Sequence, residues 1–186
     1  VGHTSCEVWD PETDDWAETQ PLNHARYDHY AVALPDGSVV VIGGPTKAIE
    51  QRRPDGAWHE VAKLPSNLYD HQVVLLKDDI LITGGRTMQP SEAYAPVGTQ
   101  SSSWLLQLKD FKLTPTDQML KPRSWMQALL LPNEKVMVLG GTCESAGLET
   151  TEYWSLENRE WDRGPNMSAV RYGHTASLLG DGSVFV

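Results

Sequence analysis

Apolar residues recur along this chain in short runs that come in pairs. HYAVAL (29–34) precedes VVVIGG (39–44), HQVVLL (71–76) precedes ILITGG (80–85), and QALLL (127–131) precedes VMVLGG (136–141). Each run is too short for a helix of ordinary length, rich in β-branched residues and bounded by turn signals, so each predicts a strand. The links are Pro35-Asp36-Gly37-Ser38, Lys77-Asp78-Asp79 and Pro132-Asn133-Glu134-Lys135, with Gly180-Asp181-Gly182 in a fourth copy. Asp-Gly between two strands is a strong hairpin signal, because glycine reaches positive φ without steric cost.

The spacing of tryptophan, arginine and histidine shows that these hairpins belong to a longer repeat. Trp16 lies ten residues before Arg26, as Trp161 does before Arg171. Trp16 to His29, Trp58 to His71 and Trp161 to His174 are each thirteen residues. Glu7-Val8-Trp9 and Glu152-Tyr153-Trp154 both lead, nine residues on from the Glu, to a lone Trp. A four-strand unit follows: the first strand after Arg-x-x-His, the second ending in Gly-Gly, the third carrying Glu-x-Trp, the fourth carrying the lone Trp. Gly43 to Gly84 is 41 residues and Gly84 to Gly140 is 56. Periods of this size with four strands per unit predict an all-β propeller of four-stranded antiparallel blades. In the long unit Trp104 is taken as the fourth-strand Trp, with 107–118 as a surface loop and 86–103 irregular. No helix and no linker between domains are expected.

Gly-Gly closing a strand, then an aromatic, then Trp resembles the kelch repeat over essentially the whole chain. The residues carrying the resemblance are Gly43-Gly44, Trp9-Asp10-Pro11 with Trp16, Gly84-Gly85 with Tyr94 and Trp104, and Gly140-Gly141 with Tyr153 and Trp161. Ile49-Glu50-Gln51 departs from the pattern where an aromatic third-strand residue is usual, and Met126 stands at the station of His29. Trp58 completes the set of fourth-strand tryptophans. The glycines permit close approach of neighbouring backbone, and the tryptophans offer a large face for blade-on-blade packing.

The blades read as 1–22 (second half of one), 23–64, 65–118, 119–167 and 168–186 (first half), in a single segment 1–186. Placing Gly2 on the first glycine of the motif makes the two half-blades add up to one, giving about four blades. Two readings stay open: a closed four-bladed ring, or a piece of the six- or seven-bladed ring that the resemblance implies. A piece of a larger propeller is the expectation.

Composition narrows the function. The 186 residues carry a formal net charge of −10, which argues against a nucleic-acid surface and is a poor match for anionic membranes. No apolar run approaches a membrane span. Cys6 and Cys143 form neither a CxxC pair nor a disulfide framework, so redox chemistry does not reveal the compartment; the cytoplasm is slightly favoured, with an upstream signal peptide left open. His29, His71 and His174 recur at one station, but Met126 breaks the series and no carboxylate keeps ligand spacing. Asp14-Asp15, Asp55-Gly56 and Asp78-Asp79 fall at turns. No metal, cofactor or catalytic residue is expected, and the sequence does not indicate whether a small-molecule ligand binds.

The remaining function is binding. The connection from one blade's last strand to the next blade's first carries Arg26 and Tyr27, Tyr69, Arg123 and Trp125, and Arg171 and Tyr172. These are expected to line one rim near the propeller axis. In peptide-binding kelch propellers, as the resemblance implies, this rim offers arginine to acidic segments. The expectation is therefore a non-catalytic scaffold for a protein or peptide, with an acidic segment as the candidate partner. Arginine pairing with an Asp or Glu of a neighbouring blade is the structural alternative. Two functional alternatives are the propeller part of a galactose-oxidase-like copper radical oxidase and a secreted carbohydrate-binding propeller.

Overall fold

A computed structural model describes residues 2–88 and 96–186. Tyr94, counted in the repeat pattern, lies outside the described residues. The chain divides into two compact units, Val1–Leu68 and Tyr69–Val186. No helix occurs among the described residues.

In the first unit, β1 (Cys6–Asp10) pairs with β2 (Asp15–Thr19) in a two-stranded sheet. β3 (His29–Ala33), β4 (Val39–Gly43), β5 (Ala48–Arg52) and β6 (Trp58–Lys63) form a four-stranded antiparallel sheet in sequence order. The first turn is built as the sequence predicts. Gly37 has φ 82°, and the Asp36 carboxylate accepts from the Ser38 amide at 2.9 Å and its hydroxyl at 2.7 Å.

The second unit holds two such sheets. One has the order β12-β11-β8-β7, from β7 (Gln72–Leu75), β8 (Asp79–Thr83), β11 (Ser103–Gln107) and β12 (Leu113–Pro115). Between β8 and β11, β9 (Arg86–Met88) pairs with β10 (Pro96–Thr99). The other sheet is β13 (Gln127–Leu130), β14 (Lys135–Leu139), β17 (Thr151–Ser155) and β18 (Trp161–Arg163). Its β14–β17 connection carries the small hairpin of β15 (Thr142–Cys143) and β16 (Ala146–Gly147). β19 (Ser177–Leu178) and β20 (Val184–Phe185) form a last hairpin, whose Asp181–Ser183 turn repeats the Asp36–Ser38 hydrogen bonds at 2.9 and 2.6 Å.

The core of this unit lies between its two four-stranded sheets. Val74, Leu81 and Leu105 from one sheet meet Val136, Val138, Trp154 and Trp161 from the other, with Met119 and Met126 from the connecting segment. Burial of aliphatic and aromatic faces between sheets is the dominant favourable term here.

One expectation is corrected. Trp104 lies on β11, the third strand of its sheet, paired with Ile82 of β8 and Pro115 of β12. The fourth strand is β12, inside the stretch read as a surface loop. The sequence concealed it because Leu113–Pro115 has neither alternation nor a tryptophan. The insertion therefore belongs with the β8–β11 connection, where the β9–β10 hairpin projects. Trp16 also differs from its counterparts, being 67% exposed on β2. Trp58, half-buried, and Trp161, buried in the core, do share a hydrogen-bond pattern. Their indoles donate to the carbonyls of Gln20 (2.9 Å) and Asp117 (3.1 Å), the same place in two repeats.

Candidate functional site: the segments that enter each sheet

Eight residues lead into each first strand: 22–29, 64–71, 119–126 and 167–174. None of the four copies has an insertion, and their backbone bonds repeat. The amide of the first residue donates to a carbonyl of the preceding repeat: Leu22 to Thr4, Leu64 to Lys47, Met119 to Ser101 and Met167 to Glu149, all at 2.8–2.9 Å. The fifth residue's carbonyl accepts from the second glycine of the preceding pair, Gly44 to Leu68, Gly85 to Arg123 and Gly141 to Arg171, at 2.8–2.9 Å. His3 takes that glycine's place before Arg26, at 3.2 Å, which agrees with Gly2 standing on the first glycine of the motif.

The glycines are required by this approach. A Cβ at Gly141 would sit 2.5 Å from the Ser124 carbonyl oxygen, and one at Gly85 2.5 Å from that of Tyr69. Both glycines also have φ above 90°.

The fifth residue decides what each segment does. Arg26 is 3% exposed and Arg123 is fully buried, so neither faces solvent. The Arg26 guanidinium donates to the Glu50 carboxylate at 2.6 and 3.1 Å, and to the carbonyls of Gly43 and Ala48. Arg123 donates to Glu152 at 2.5 Å and to the carbonyls of Gly140 and Thr150. Each carboxylate also holds the entry segment. Glu50 accepts from the Asn23 amide at 2.8 Å, and Glu152 from those of Leu120 and Lys121 at 2.6 and 3.1 Å. Arginine and glutamate thus form a buried clasp between a sheet's third strand and its entry segment. In the middle repeat Leu68, 1% exposed, replaces the arginine, and Trp104 rather than a carboxylate stands on the third strand.

These positions differ from an arginine-lined rim. Of the three arginines, Arg171 alone is exposed; Tyr69 is buried at 3%. Tyr27, Trp125 and Tyr172 are the solvent-facing aromatics, at 39, 48 and 61% exposure. Tyr27 belongs to the first unit and the other two to the second. The sequence did not expose the clasps because Glu50 looked like a departure from the aromatic pattern, and Glu152 like one half of Glu-x-Trp.

The seventh residue of every entry segment has left-handed φ: Asp28 51°, Asp70 50°, Trp125 55° and Gly173 59°. Asp and Gly tolerate this conformation, whereas a bulky aromatic rarely adopts it. In the second unit these residues are joined in series. The Trp125 amide donates to the Asp70 carbonyl at 3.3 Å, and the Gly173 amide to the Trp125 carbonyl at 2.9 Å. The Trp125 ring lies over Gly173, whose Cβ position would be 3.6 Å from its Cε3. Tyr172 rests beside the β15–β16 hairpin, with Cδ1 3.3 Å from where a Gly147 Cβ would be.

Beside Trp125 is a groove of about 370 Å³, with Arg86 and Thr99 on one wall, Thr142 and Glu144 on the other, and Ser124 and Trp125 from the entry segment. Arg86 is ion-paired with Asp70 through Nε. Isolated bridges tie Tyr69 to Arg86 and Ser124 to Thr142, fixing the two hairpins to the entry segments.

Paired antiparallel strands, a glycine pair ending the second, and repeated entry segments together define blades of the β-propeller class. Residues 128–168 match the family model of the Kelch motif. Human Kelch-like protein 15 is 24% identical over 198 residues, covering 95% of this chain and 33% of that protein. Human Kelch-like protein 33 is 30% identical over 83 residues (41% of this chain, 15% of that protein), and Kelch-like protein 36 of Bos taurus 31% over 86 (44% and 14%). The chain is thus similar to kelch-repeat proteins, with the Kelch motif itself matched over residues 128–168. The chain spans about a third, 33%, of the length of the relatives that match it nearly end to end.

Proposed function

We propose that this chain is a non-catalytic kelch-repeat scaffold that binds a protein or peptide at the blade ends carrying the entry segments. The single observation supporting this reading most directly is Trp125. Backbone bonds to Asp70 and Gly173 hold this tryptophan in a left-handed conformation, with its side chain left 48% exposed. Exposed aromatics held rigidly, with strain maintained by surrounding structure, are suited to anchoring a partner. Tyr172 lies within the same local arrangement, and Tyr27 occupies the neighbouring position in the first unit's own entry segment. The acidic partner anticipated from three rim arginines loses two of its contacts, because Arg26 and Arg123 are buried and already neutralised. Arg171 remains as an exposed cation.

The test is site-specific photo-crosslinking in cells. A benzophenone side chain placed at Tyr172 is expected to capture a discrete protein. The same probe at Asn133, on the exposed turn of the β13–β14 hairpin, is expected to capture none. Equal capture from both positions, or capture from Asn133 alone, would overturn the proposal.

A further inference from the structure

We infer that the groove beside Trp125 receives a basic side chain, arginine or lysine, from the partner peptide. The inference rests on the binding role proposed for these blade ends and names the chemistry of the partner.

Three features of the groove lead there. First, its own cation is already matched. Arg86 is paired through Nε with Asp70, whose side chain is only 9% exposed, so the two together bring no net charge. Second, Glu144 is exposed at the tip of the β15–β16 hairpin and lines the same groove. Its backbone is pinned there, with φ 54° and its amide donating to the Thr99 hydroxyl at 3.2 Å. That leaves the groove with one net negative charge. Third, Trp125 presents the aromatic group that attracts cations most strongly through its π face.

The Ser124 and Thr142 hydroxyls, 3.2 Å apart, add neutral donors and acceptors along the same surface. They suit a guanidinium or ammonium head as well as peptide carbonyls. At longer range, a chain carrying −10 attracts basic segments and repels acidic ones. Local and global charge therefore favour the same sign of partner.

The experiment is a titration of the isotope-labelled protein followed by the tryptophan indole NMR signals. The probes are three capped pentapeptides, Gly-Gly-Arg-Gly-Gly and its Gln- and Glu-centred counterparts. The Trp125 signal is identified by its absence from Trp125→Gly, a substitution compatible with the left-handed backbone. The arginine peptide is expected to move that signal, and the glutamate peptide to leave it unmoved. Glu144→Gln should weaken the arginine peptide about threefold, as removal of a solvent-accessible charge pair does. Trp125→Gly should weaken it about fivefold, by its remaining perturbation of backbone amides. Preference for the glutamate peptide, or equal response to arginine and glutamine, would overturn the inference. The rim reading fails separately. If Tyr172 captures no protein while the arginine peptide still binds, the groove chemistry stands and the partner is elsewhere. If Tyr172 captures a protein but the peptides show no charge preference, the scaffold reading stands and the basic specificity does not.

Discussion

Gly141 and Gly182 have nearly the same backbone conformation, with φ 94° and 85°, yet very different surroundings. A Cβ on Gly141 would meet the Ser124 carbonyl at 2.5 Å, whereas one on Gly182 would meet nothing closer than Pro132 at 3.8 Å. Gly182→Ala therefore carries the conformational cost alone, about 1–2 kcal/mol. Gly141→Ala adds a backbone collision that no side-chain rotation relieves, and should cost roughly 3 kcal/mol or more. Urea unfolding of the two variants measures the difference. Equal losses would mean that the Gly-Gly pair is there for turn geometry alone, not for the approach of the next entry segment.

At the scale of strand and segment, the Arg123–Glu152 clasp shows how a charged pair serves a β structure. Both side chains are buried, and the carboxylate also satisfies the amides of Leu120 and Lys121. Removing one partner strands a charge and opens those amides. Arg123→Leu or Glu152→Leu alone should destabilise by roughly 3–5 kcal/mol. The double variant should lose less than the sum, because no unpaired charge remains. The Leu68 repeat already manages without the pair. A double-mutant cycle by chemical denaturation checks this, and strictly additive losses would contradict it.

The same segments show what the sequence could and could not express. Strand pairs, Gly-Gly closures and Asp turns depend on residues adjacent in the chain, so they were legible. Gly2 could be assigned to the glycine motif by counting, and His3 bonds to Arg26 accordingly. The third-strand position of Trp104 was not legible, since it depends on β12, a three-residue strand without pattern. The inward turn of Arg26 and Arg123 was also hidden. It depends on Glu50 and Glu152, 24 and 29 residues further along, which have no local signature as partners. Of the four aromatics expected on the rim, Tyr69 is buried while Tyr27, Trp125 and Tyr172 are exposed, and the backbone station of Trp125 is that of Asp28 rather than of Tyr27. One residue of offset separates a position outside the left-handed region from one inside it.

Over the whole molecule, acid response follows from where histidine sits. His174 has both ring nitrogens buried without hydrogen-bond partners, close to Gly140. Burial, and then the positive charge of Arg171, hold its pKa below 6.5. The unfolded chain therefore binds the proton more readily. Stability is fully present above about pH 6.5 and is lost as pH falls through that value towards the lower folded pKa. The turn aspartates Asp36 and Asp181 act further down. Their pKa values are lowered from 3.8, chiefly by the Ser38 and Ser183 hydroxyls, so their contribution persists until pH falls below that. Melting temperature against pH should show a decline beginning near 6.5 that His174→Gln diminishes. An unchanged profile in that variant would exclude His174 as its source.

The central claim is a division of labour: Arg26 and Arg123 clasp their own sheets to the entry segments, and the exposed aromatics beside them are proposed to meet the partner. Crosslinking from the Tyr172 benzophenone, compared between the Arg123→Leu/Glu152→Leu double variant and Trp125→Gly, tests it most directly. The account predicts that the double variant, folded by circular dichroism, keeps capturing the partner, while Trp125→Gly is equally folded and loses most of the capture. Capture lost in the folded double variant and retained in Trp125→Gly would contradict it.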